Sequence, residues 1–282
     1  MLHEFPFLDQ WLDIALKEDL GDGDHSSLSS IPADATGKVK CLFKADGVVA
    51  GIELAKIIFA KVDPSITMDV LEQDGSYVKN GTIVFYAEGP RISLLSAERL
   101  MLNCMQRLSA VATTTHIYAQ TIAHTSTKVL DTRKTTPGLR HLEKWAVKLG
   151  GGENHRVGLY DMIMLKDNHI DFAGGIEKAI HKTKEYLKEK GKDLRIEVET
   201  RDLNEVKEVM RVGGIDRIML DNFTPAQTKE AVALIDGKYE TESSGGITLD
   251  TLASYAECGV DYISVGALTH SSGSLDISLK AV

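Results

Sequence analysis

Basic residues concentrate between positions 131 and 169 of a chain that is acidic overall. Residues 131–140 read DTRKTTPGLR, residues 150–156 read GGGENHR and residues 165–169 read LKDNH. These cations stand beside Pro-Gly and a run of glycines, directly after short β-prone runs, which is where loops carry chemistry. A solvated helix face would instead place its charges at helical spacing among good helix formers. The pattern favours a loop-borne site for anionic ligands, with Arg133, Lys134, Arg140, His155, Arg156, Lys166 and His169 as its cations.

These cations are too many for a single phosphate group. Arginine binds a carboxylate through two parallel hydrogen bonds, whereas lysine supplies a compact charge. We therefore expect a ligand with several anionic groups, such as a dicarboxylate together with a polyphosphate. A Schiff-base role for Lys134 or Lys166, as in an aldolase, stays open, because neighbouring cations as well as an apolar pocket can depress the pKa of a lysine.

Length and charge narrow the classes of function. The 282 residues suffice for one α/β barrel or two smaller domains, and 43% hydrophobic with 26% charged residues is ordinary for a globular enzyme. A formal charge of -9 argues against non-specific nucleic-acid binding, which requires a basic surface. The three cysteines are far apart and predict neither disulfides nor a thiolate zinc site, so we expect a cytoplasmic protein. No apolar run approaches the roughly 20 residues that span a bilayer, and we see no secretory signal.

The first 90 or so residues predict a small α+β layer without a concentration of catalytic residue types. A long helix follows, beginning at Ser96 and extending to Ile122, because its apolar residues recur every three to four positions. Arg99 lies in this helix, where a lone arginine is by default a solvated charge. The predicted elements before it are a helix at 8–16, strands at 38–43, 66–71 and 82–87, and a helix at 52–62.

After Lys128 the sequence repeats a short apolar run, a polar loop and an amphipathic helix. This alternation implies parallel strands with right-handed crossovers, and at least six such units predict an α/β barrel, complete or not. A doubly wound sheet is the competing topology, but it usually has a glycine fingerprint after its first strand, and none is present. The predicted strands are 129–130, 162–165, 194–198, 217–220, 238–241 and 262–265, and the helices are 139–149, 175–190, 203–212, 225–235 and 249–258.

Acidic residues follow two of the predicted strands. In a parallel barrel the C-terminal ends of the strands meet on one face, where loops hold the ligands. Glu199 and Asp221 are on neighbouring strand ends, and their hard oxygen atoms suit Mg²⁺. Glu197 points to the same side as Glu199, and either could instead form an ion pair with Lys134 or Lys166. We prefer Glu199 as the metal ligand because it is nearer the end of its strand.

Glycines follow the last two predicted strands. Ser244, Gly245 and Gly246 precede one helix, and Gly266 precedes a further apolar segment. Such loops let backbone N–H groups approach an anion without obstruction from a Cβ atom. A glycine at a strand end can also be only a tight turn, but two successive cases late in a barrel favour a phosphate site.

These motifs, in this order, closely resemble the quinolinate phosphoribosyltransferase family, whose members are also called carboxylating nicotinate-nucleotide pyrophosphorylases. The resemblance covers essentially the whole chain and departs from the family pattern at Ala110, where glycine is expected, and at Glu153, which adds a negative charge. Neither departure removes a predicted ligand. The matching stretches are residues 18–24, 98–103, 131–140, 150–159, 165–169, 197–199, 220–222 and 244–247.

The resemblance implies a specific architecture. It predicts an N-terminal α/β sandwich domain over residues 1–112 and an incomplete, six- to seven-stranded α/β barrel over residues 113–272, with residues 273–282 packing back on the first domain. It also implies a homodimer or hexamer, in which Arg99 reaches the site of the neighbouring subunit. That implication replaces the default reading of Arg99 as a solvated charge.

The resemblance also implies a reaction and its residues. Quinolinate and phosphoribosyl pyrophosphate would give nicotinate mononucleotide, pyrophosphate and carbon dioxide, with Mg²⁺, in NAD biosynthesis. Lys134, Lys166, Glu199 and Asp221 would act in catalysis, the last two facing the ribose hydroxyls and the metal. Arg133, His155, Arg156 and Lys166 would hold the quinolinate carboxylates, Lys134 would bridge toward the phosphoribosyl group, and Ser244, Gly245, Gly246 and Gly266 would bind phosphate.

Two other readings compete with this one. A related pyrophosphorylase-like protein associated with molybdenum transport genes shares the fold but does not use quinolinate, and the complete set of Arg133, His155, Arg156 and Lys166 argues against it. A catalytically silent barrel that serves as a scaffold would show gaps in the charged ring. We find none in the sequence.

Overall fold

The computed structural model describes residues 5–282, which form two compact units. The first unit contains the residues up to His116 together with Thr135–Gly151 and Leu268–Val282. The second contains Ile117–Lys134 and Gly152–Ala267. None of the helices within residues 5–282 has the length and apolar character that crossing a membrane requires.

The elements follow one another in two stretches of different character. The N-terminal stretch contains α1 (Leu8–Leu20), α2 (His25–Ser30), β1 (Thr36–Phe43), β2 (Gly47–Val48), α3 (Ile52–Val62), β3 (Thr67–Val70), β4 (Tyr77–Val78), β5 (Ile83–Pro90) and α4 (Arg91–Thr121). The rest contains β6 (Lys128–Leu130), α5 (Arg140–Leu149), β7 (Ile163–Leu165), α6 (Asp167–Ala173), α7 (Ile176–Lys190), β8 (Ile196–Thr200), α8 (Leu203–Val212), β9 (Arg217–Asp221), α9 (Pro225–Ile235), β10 (Glu240–Ser244), α10 (Leu249–Ala256), β11 (Tyr262–Ser264), α11 (Ala267–His270) and β12 (Ile277–Ala281).

The first unit is built on an antiparallel sheet in the order β12-β1-β5-β3. Alternate residues of β1 are buried, namely Val39, Cys41 and Phe43, as expected for a strand with one face on a core. Phe59 of α3 meets Phe85 of β5 edge to face, with ring centroids 6.2 Å apart. This sheet with its packed helices is the predicted N-terminal α/β domain.

A buried glutamate ties three parts of the first unit together. Arg107 of α4 donates to Glu143 of α5 at 2.7 Å through Nη2 and 3.0 Å through Nε, and also to the carbonyl oxygens of Thr269 and Ser272. Glu143 also accepts from the N–H and the hydroxyl of Thr136, at 3.0 and 2.8 Å. The loop that follows the Arg-Lys dipeptide at 133–134 is therefore anchored to two helices of this unit.

The second unit contains a six-stranded sheet in the order β6-β11-β10-β9-β8-β7, in which all pairs are parallel. The strands β6 and β7 are consecutive in the chain but stand at opposite ends of this order, so the barrel is incomplete, as predicted. Beside β6 lies a short extended segment: Leu130 forms a parallel bridge with Glu153. The chain thus returns to the barrel at the residues that precede His155.

Most predicted elements of this unit are confirmed with small shifts of their ends. Helices α8 and α9 have the predicted bounds, whereas β10 begins at Glu240 instead of residue 238. The sequence did not predict α6, which begins one residue after Lys166.

Candidate active site

The strand register places the acidic and basic candidates on one face of the parallel sheet. Glu199 of β8 is opposite Met219 of β9, and Asp221 is opposite Ser244 of β10. Because side chains alternate along a strand and neighbours in register share a face, Glu199, Asp221 and Ser244 point to the same side at the C-terminal ends of their strands. Lys166, just after β7, places its ammonium group 3.1 Å from Glu199 Oε2. Three of these groups therefore share one face of the sheet, and the fourth, Lys166, contacts that face through Glu199.

Arg156 contributes a buried cation to the same region. It is only 9% exposed, and its Nη1 donates to the carbonyl oxygen of Met162 at 3.2 Å. Burial lowers its pKa, and the positive charge of Arg133 lowers the pKa further, while the negative charges of Glu197 and Asp161 oppose the shift. The structure thus brings Arg133 and Arg156 near each other, and their repulsion favours binding of an anion between them.

His155 lies inside a ring of buried charge. Its Nε2 is 2.9 Å from Glu197 Oε2 and 3.4 Å from Glu242 Oε2, and both glutamates are fully buried. Burial alone would lower the pKa of His155, but hydrogen bonds with the two carboxylates raise it to about 9. Arg217 donates to Glu242 Oε2 at 2.8 Å. The imidazole is therefore held by acidic partners on the side where its Nε2 lies.

Asp131 fixes the backbone that carries these two residues. It is fully buried at the end of β6 and accepts the N–H of His155 at 2.9 Å and the amide of Asn154 at 2.6 Å. Its own N–H donates to the carbonyl oxygen of Glu153 at 3.1 Å. The positions of His155 and Arg156 therefore depend on a carboxylate that sequence reasoning had quoted within a motif but had not assigned a role.

A glycine corner follows β10. Gly245 has φ +95°, and a Cβ atom there would stand 2.2 Å from Asn222 Oδ1 and 2.9 Å from its backbone nitrogen. Gly246 has φ +62° with open space around it. Only glycine adopts this positive φ without strain and leaves Asn222 in place. The backbone at Gly245 can therefore approach an anionic ligand closely.

The remaining candidates have simpler surroundings. Lys134 is exposed directly after Arg133, and Gly266 is half-buried after β11. His169 accepts the backbone N–H of Lys166 at 3.0 Å and so fixes the start of α6. Arg99 is exposed on α4 in the first unit, and Arg140 donates to the hydroxyl of Thr135 in the same unit.

Sequence reasoning missed Glu242 and Arg217 entirely and left Glu197 as an ion-pair candidate. Their positions follow from the register, since Glu197 is opposite Arg217 and Met219 is opposite Glu242. The available signal in the sequence was that acidic residues occupy every second position in parts of β8 and β10, which places them on one face of the sheet. In chemical terms, these residues offer the cations Arg133 and Arg156, two carboxylates beside Lys166, and the glycine corner at Gly245.

Two family models together match almost the whole chain. One describes the N-terminal domain of quinolinate phosphoribosyl transferase and matches residues 24–109. The other describes the C-terminal domain of the same family and matches residues 111–280.

Individual proteins give the same result. A rice protein (Oryza sativa subsp. japonica) named nicotinate-nucleotide pyrophosphorylase [carboxylating], chloroplastic, is 47% identical over 95% of this chain and 76% of its own length. A tobacco protein (Nicotiana tabacum) named quinolinate phosphoribosyltransferase [decarboxylating] 1b is 47% identical over 95% of this chain and 81% of its own. The crystal structure of NadC from Streptococcus pyogenes superposes with a TM-score of 0.92 at 38% identity, covering 98% of this chain and 97% of that one.

Proposed function

Because the chain belongs to the quinolinate phosphoribosyltransferase family, we propose how its own residues carry out the reaction of that family. The enzyme transfers the phosphoribosyl group of phosphoribosyl pyrophosphate to quinolinate and releases carbon dioxide and pyrophosphate. Its product is nicotinate mononucleotide, a precursor in NAD biosynthesis.

One observation supports the assignment of residues above the others. The Lys166–Glu199 pair, at 3.1 Å, shares a sheet face with Asp221 and Ser244, and the buried Arg156 lies within electrostatic reach of Arg133 and Glu197. A dicarboxylate requires several fixed cations, and a pentose requires acceptors for its hydroxyls. The face offers both.

The cations bind and orient quinolinate in our proposal. Arg133, Arg156 and Lys166 hold its two carboxylates, and His155 shapes the same pocket. With the ring fixed, its nitrogen attacks the anomeric carbon of the ribose as the bond to pyrophosphate breaks. No protein nucleophile is required, so positioning and charge stabilisation supply most of the rate enhancement.

Loss of carbon dioxide follows from the same chemistry. Once the ring nitrogen is bonded to ribose it is positively charged, and it stabilises the electron pair left when the bond from carbon 2 to its carboxylate breaks. A proton then replaces carbon dioxide at that carbon. The pocket must release a neutral gas while it keeps the second carboxylate on its cations.

The phosphoribosyl pyrophosphate lies, in our proposal, beside Glu199, Asp221 and the glycine corner at Gly245. We assign the ribose hydroxyls to Glu199 and Asp221, the phosphates to Ser244, Gly245, Gly246 and Gly266, and a bridging position to Lys134. The positive φ angles at Gly245 and Gly246 support this, because they free backbone N–H groups for an anion.

Glu199 and Asp221 also suit Mg²⁺. Their carboxylates are hard oxygen donors on neighbouring strands, and Glu199 already attracts a cation in the form of Lys166. These two residues would hold the ion, and bound Mg²⁺ would offset the charge of the pyrophosphate group. Chelation with EDTA should therefore abolish turnover, and added Mg²⁺ should restore it.

The decisive assay combines the protein with quinolinate, phosphoribosyl pyrophosphate and Mg²⁺. We expect nicotinate mononucleotide and carbon dioxide in equal amounts, with quinolinate labelled in its 2-carboxylate as the source of the gas. Nicotinate lacks that carboxylate and serves as the control, which should release no carbon dioxide. Absence of the mononucleotide with quinolinate would refute the proposed function.

We also propose that the working enzyme is a homodimer or a hexamer, in which Arg99 of one subunit completes the site of another. The exposure of Arg99 on α4 is compatible with this role. Sedimentation analysis would give the oligomeric state, and a monomeric active enzyme would contradict the proposal.

A cytoplasmic location is the last part of the proposal. It rests on the three free cysteines, of which Cys41 and Cys104 are buried, since a reducing compartment keeps thiols unpaired. The rice relative is named as chloroplastic, so an organelle is the alternative. Fractionation of the source cells, with activity assayed in each fraction, distinguishes the two.

A further inference from the structure

The carboxylate of Asp131 joins the two chain segments that carry Arg133 and Arg156. Asp131 is fully buried, its Oδ1 accepts the backbone N–H of His155 at 2.9 Å, and its Oδ2 accepts the side-chain amide of Asn154 at 2.6 Å. Arg156 follows these two partners directly, and Arg133 follows Asp131 after one intervening residue. A single buried side chain therefore connects the backbone of one arginine to the backbone of the other.

Further hydrogen bonds restrict the same junction. The N–H of Asp131 donates to the carbonyl oxygen of Glu153 at 3.1 Å, and the N–H of Glu153 donates to the carbonyl oxygen of Val129 at 2.8 Å. On the other side, the hydroxyl of Thr132 accepts the backbone N–H of Lys134 at 3.0 Å, so a side chain also holds the turn that carries the intervening arginine. The two segments can shift relative to each other only if several of these bonds break.

The spacing of two arginines distinguishes dianions of equal charge. Burial and the positive charge of Arg133 lower the pKa of Arg156, so the two guanidinium groups lie within electrostatic reach of each other. An arginine binds a carboxylate most strongly when two N–H groups meet two oxygens, and this arrangement is geometrically specific. Quinolinate carries its carboxylates on adjacent ring carbons, whereas its isomer pyridine-2,4-dicarboxylate carries them at a wider spacing. Net charge cannot separate these isomers, but a fixed spacing of the arginines can.

We propose that Asp131 is a positioning residue that sets the spacing of Arg133 and Arg156, and that this spacing makes the pocket selective for carboxylates on adjacent ring carbons. The proposal rests on the proposed function, because it needs quinolinate to bind at these two arginines. Asp131 acts through the backbone and does not touch the ligand. Loss of its carboxylate lets the two segments shift, so the preference for the adjacent isomer disappears.

Isothermal titration calorimetry of the full-length protein measures this preference. The quantity is the ratio of the dissociation constant of pyridine-2,4-dicarboxylate to that of quinolinate. In the wild type it should be roughly 10 to 100, the factor that one well-placed hydrogen bond to a charged group contributes. Asp131→Asn keeps the shape and one acceptor oxygen but turns an amide toward the amide of Asn154, and its ratio should fall to within about threefold of unity. A carboxylate that only stabilised the fold would change both affinities equally and leave the ratio as it was.

Two further variants separate the spacing from other effects of the substitution. Asp131→Asn/Asn154→Asp exchanges the two groups, so an amide again faces a carboxylate at unchanged net charge, and the ratio should return to within about threefold of the wild type. Asp261→Asn is the matched control. Asp261 accepts the N–H and the hydroxyl of Thr241, both at 2.8 Å, but it precedes β11 at the N-terminal end of the parallel sheet. This control should keep the wild-type ratio.

Asn154→Ala keeps the test decisive if Asp131→Asn does not fold. It removes one of the two hydrogen bonds from an exposed residue and should still lower the ratio at least about threefold. An unchanged ratio in Asn154→Ala or in folded Asp131→Asn overturns the role of Asp131, and so does a ratio that stays low in the exchanged pair.

Turnover of the wild-type sample separates the two proposals. A protein that forms mononucleotide but binds both isomers equally overturns the role of Asp131 and leaves the enzyme function intact. A wild type without turnover overturns the proposed function itself.

Discussion

Lys166 is the residue whose removal tests the proposed quinolinate site most directly. Its ammonium group stands 3.1 Å from Glu199 Oε2, and nearly half of the side chain is exposed. A hydrogen bond to a charged partner is worth about 1.5–3 kcal/mol, so we expect Lys166→Ala to lower kcat/KM for quinolinate by roughly 10- to 150-fold. Steady-state kinetics with saturating phosphoribosyl pyrophosphate measures the change.

Lys188→Ala is the control for this substitution. Lys188 is an exposed lysine near the end of α7, so its removal changes the net charge equally without touching the proposed pocket. Its kcat/KM should stay within twofold of the wild type. Equal losses in the two variants would mean that Lys166 acts only through overall charge.

Gly245 offers a test of the glycine corner with a control next to it. Both Gly245 and Gly246 have positive φ, but only at Gly245 would a Cβ atom collide with Asn222. Gly245→Ala should therefore lower the free energy of unfolding by roughly 1–3 kcal/mol more than Gly246→Ala, because overpacking adds to the backbone strain that both share. Thermal unfolding of the two variants provides the comparison, and equal midpoints would contradict the tight packing at Asn222.

At the scale of single residues, the sequence predicted the candidate residues at the ends of the strands better than the charged residues within them. The placement of Glu199 and Asp221 on one face is predictable, because parallel strands present their C-terminal ends to one face and side chains alternate with a period of two. Arg217 and Glu242 escaped notice because one sequence does not reveal strand register, and register alone places them beside Glu197 and His155. The role of Asp131 was hidden for the same reason, since its partners lie in a segment that returns to β6 after an intervening helix.

At the scale of elements, Glu143 holds the loop after the Arg-Lys dipeptide to the rest of the first unit. Glu143→Ala would leave Arg107 largely buried without its carboxylate, and Thr136 without an acceptor. Loss of one partner from a buried pair costs about 3–5 kcal/mol, so the free energy of unfolding should fall by about that amount. Urea denaturation followed by circular dichroism measures it.

An exposed ion pair supplies the control for Glu143. Glu53 contacts Lys56 one helical turn away at the surface of α3, and both side chains are substantially exposed. Glu53→Ala should change the free energy of unfolding by less than about 1 kcal/mol. A loss of similar size in both variants would show that the buried Glu143 pair stabilises the fold no more than an exposed ion pair does.

The elements that the sequence placed poorly have a physical reason in common. Strand β10 (Glu240–Ser244) carries polar residues on its inward positions, Glu240, Glu242 and Ser244, so no apolar run announces it. Helix α6 is a short helix of seven residues, and only Ile170 of it is buried, so apolar periodicity could not reveal it. By contrast α8 buries Val206 and Val209 at helical spacing, and its bounds were predicted correctly. The hydrophobic pattern therefore finds elements that bury apolar residues at regular spacing and misses those that bury few.

At the scale of the whole molecule, a formal charge of -9 coexists with a local concentration of cations. Composition alone excluded a basic nucleic-acid surface but could not locate an anion site. The predicted location rests on loops at strand ends, and the structure adds that the second unit also buries acidic residues such as Glu197 and Glu242. The field that a substrate meets is therefore set by the arrangement of a few charges, not by the sum over the chain.

A mixing experiment tests whether a site is shared between subunits. If Arg99 completes the site of a neighbouring subunit, Arg99→Ala and Lys166→Ala homomers each lose most of their activity, for different reasons. Hybrids formed by mixing and reassembling the two should contain some sites with both native residues, and in a dimer with random exchange about a quarter of all sites would be native, because half of the dimers are hybrids with one native site each. Recovered mononucleotide formation, measured against each variant reassembled alone, checks this. A mixture of Arg99→Ala with Arg99→Ala/Lys166→Ala is the control, because no site in it can regain Arg99, and recovery there, or none in the first mixture, would contradict the shared site.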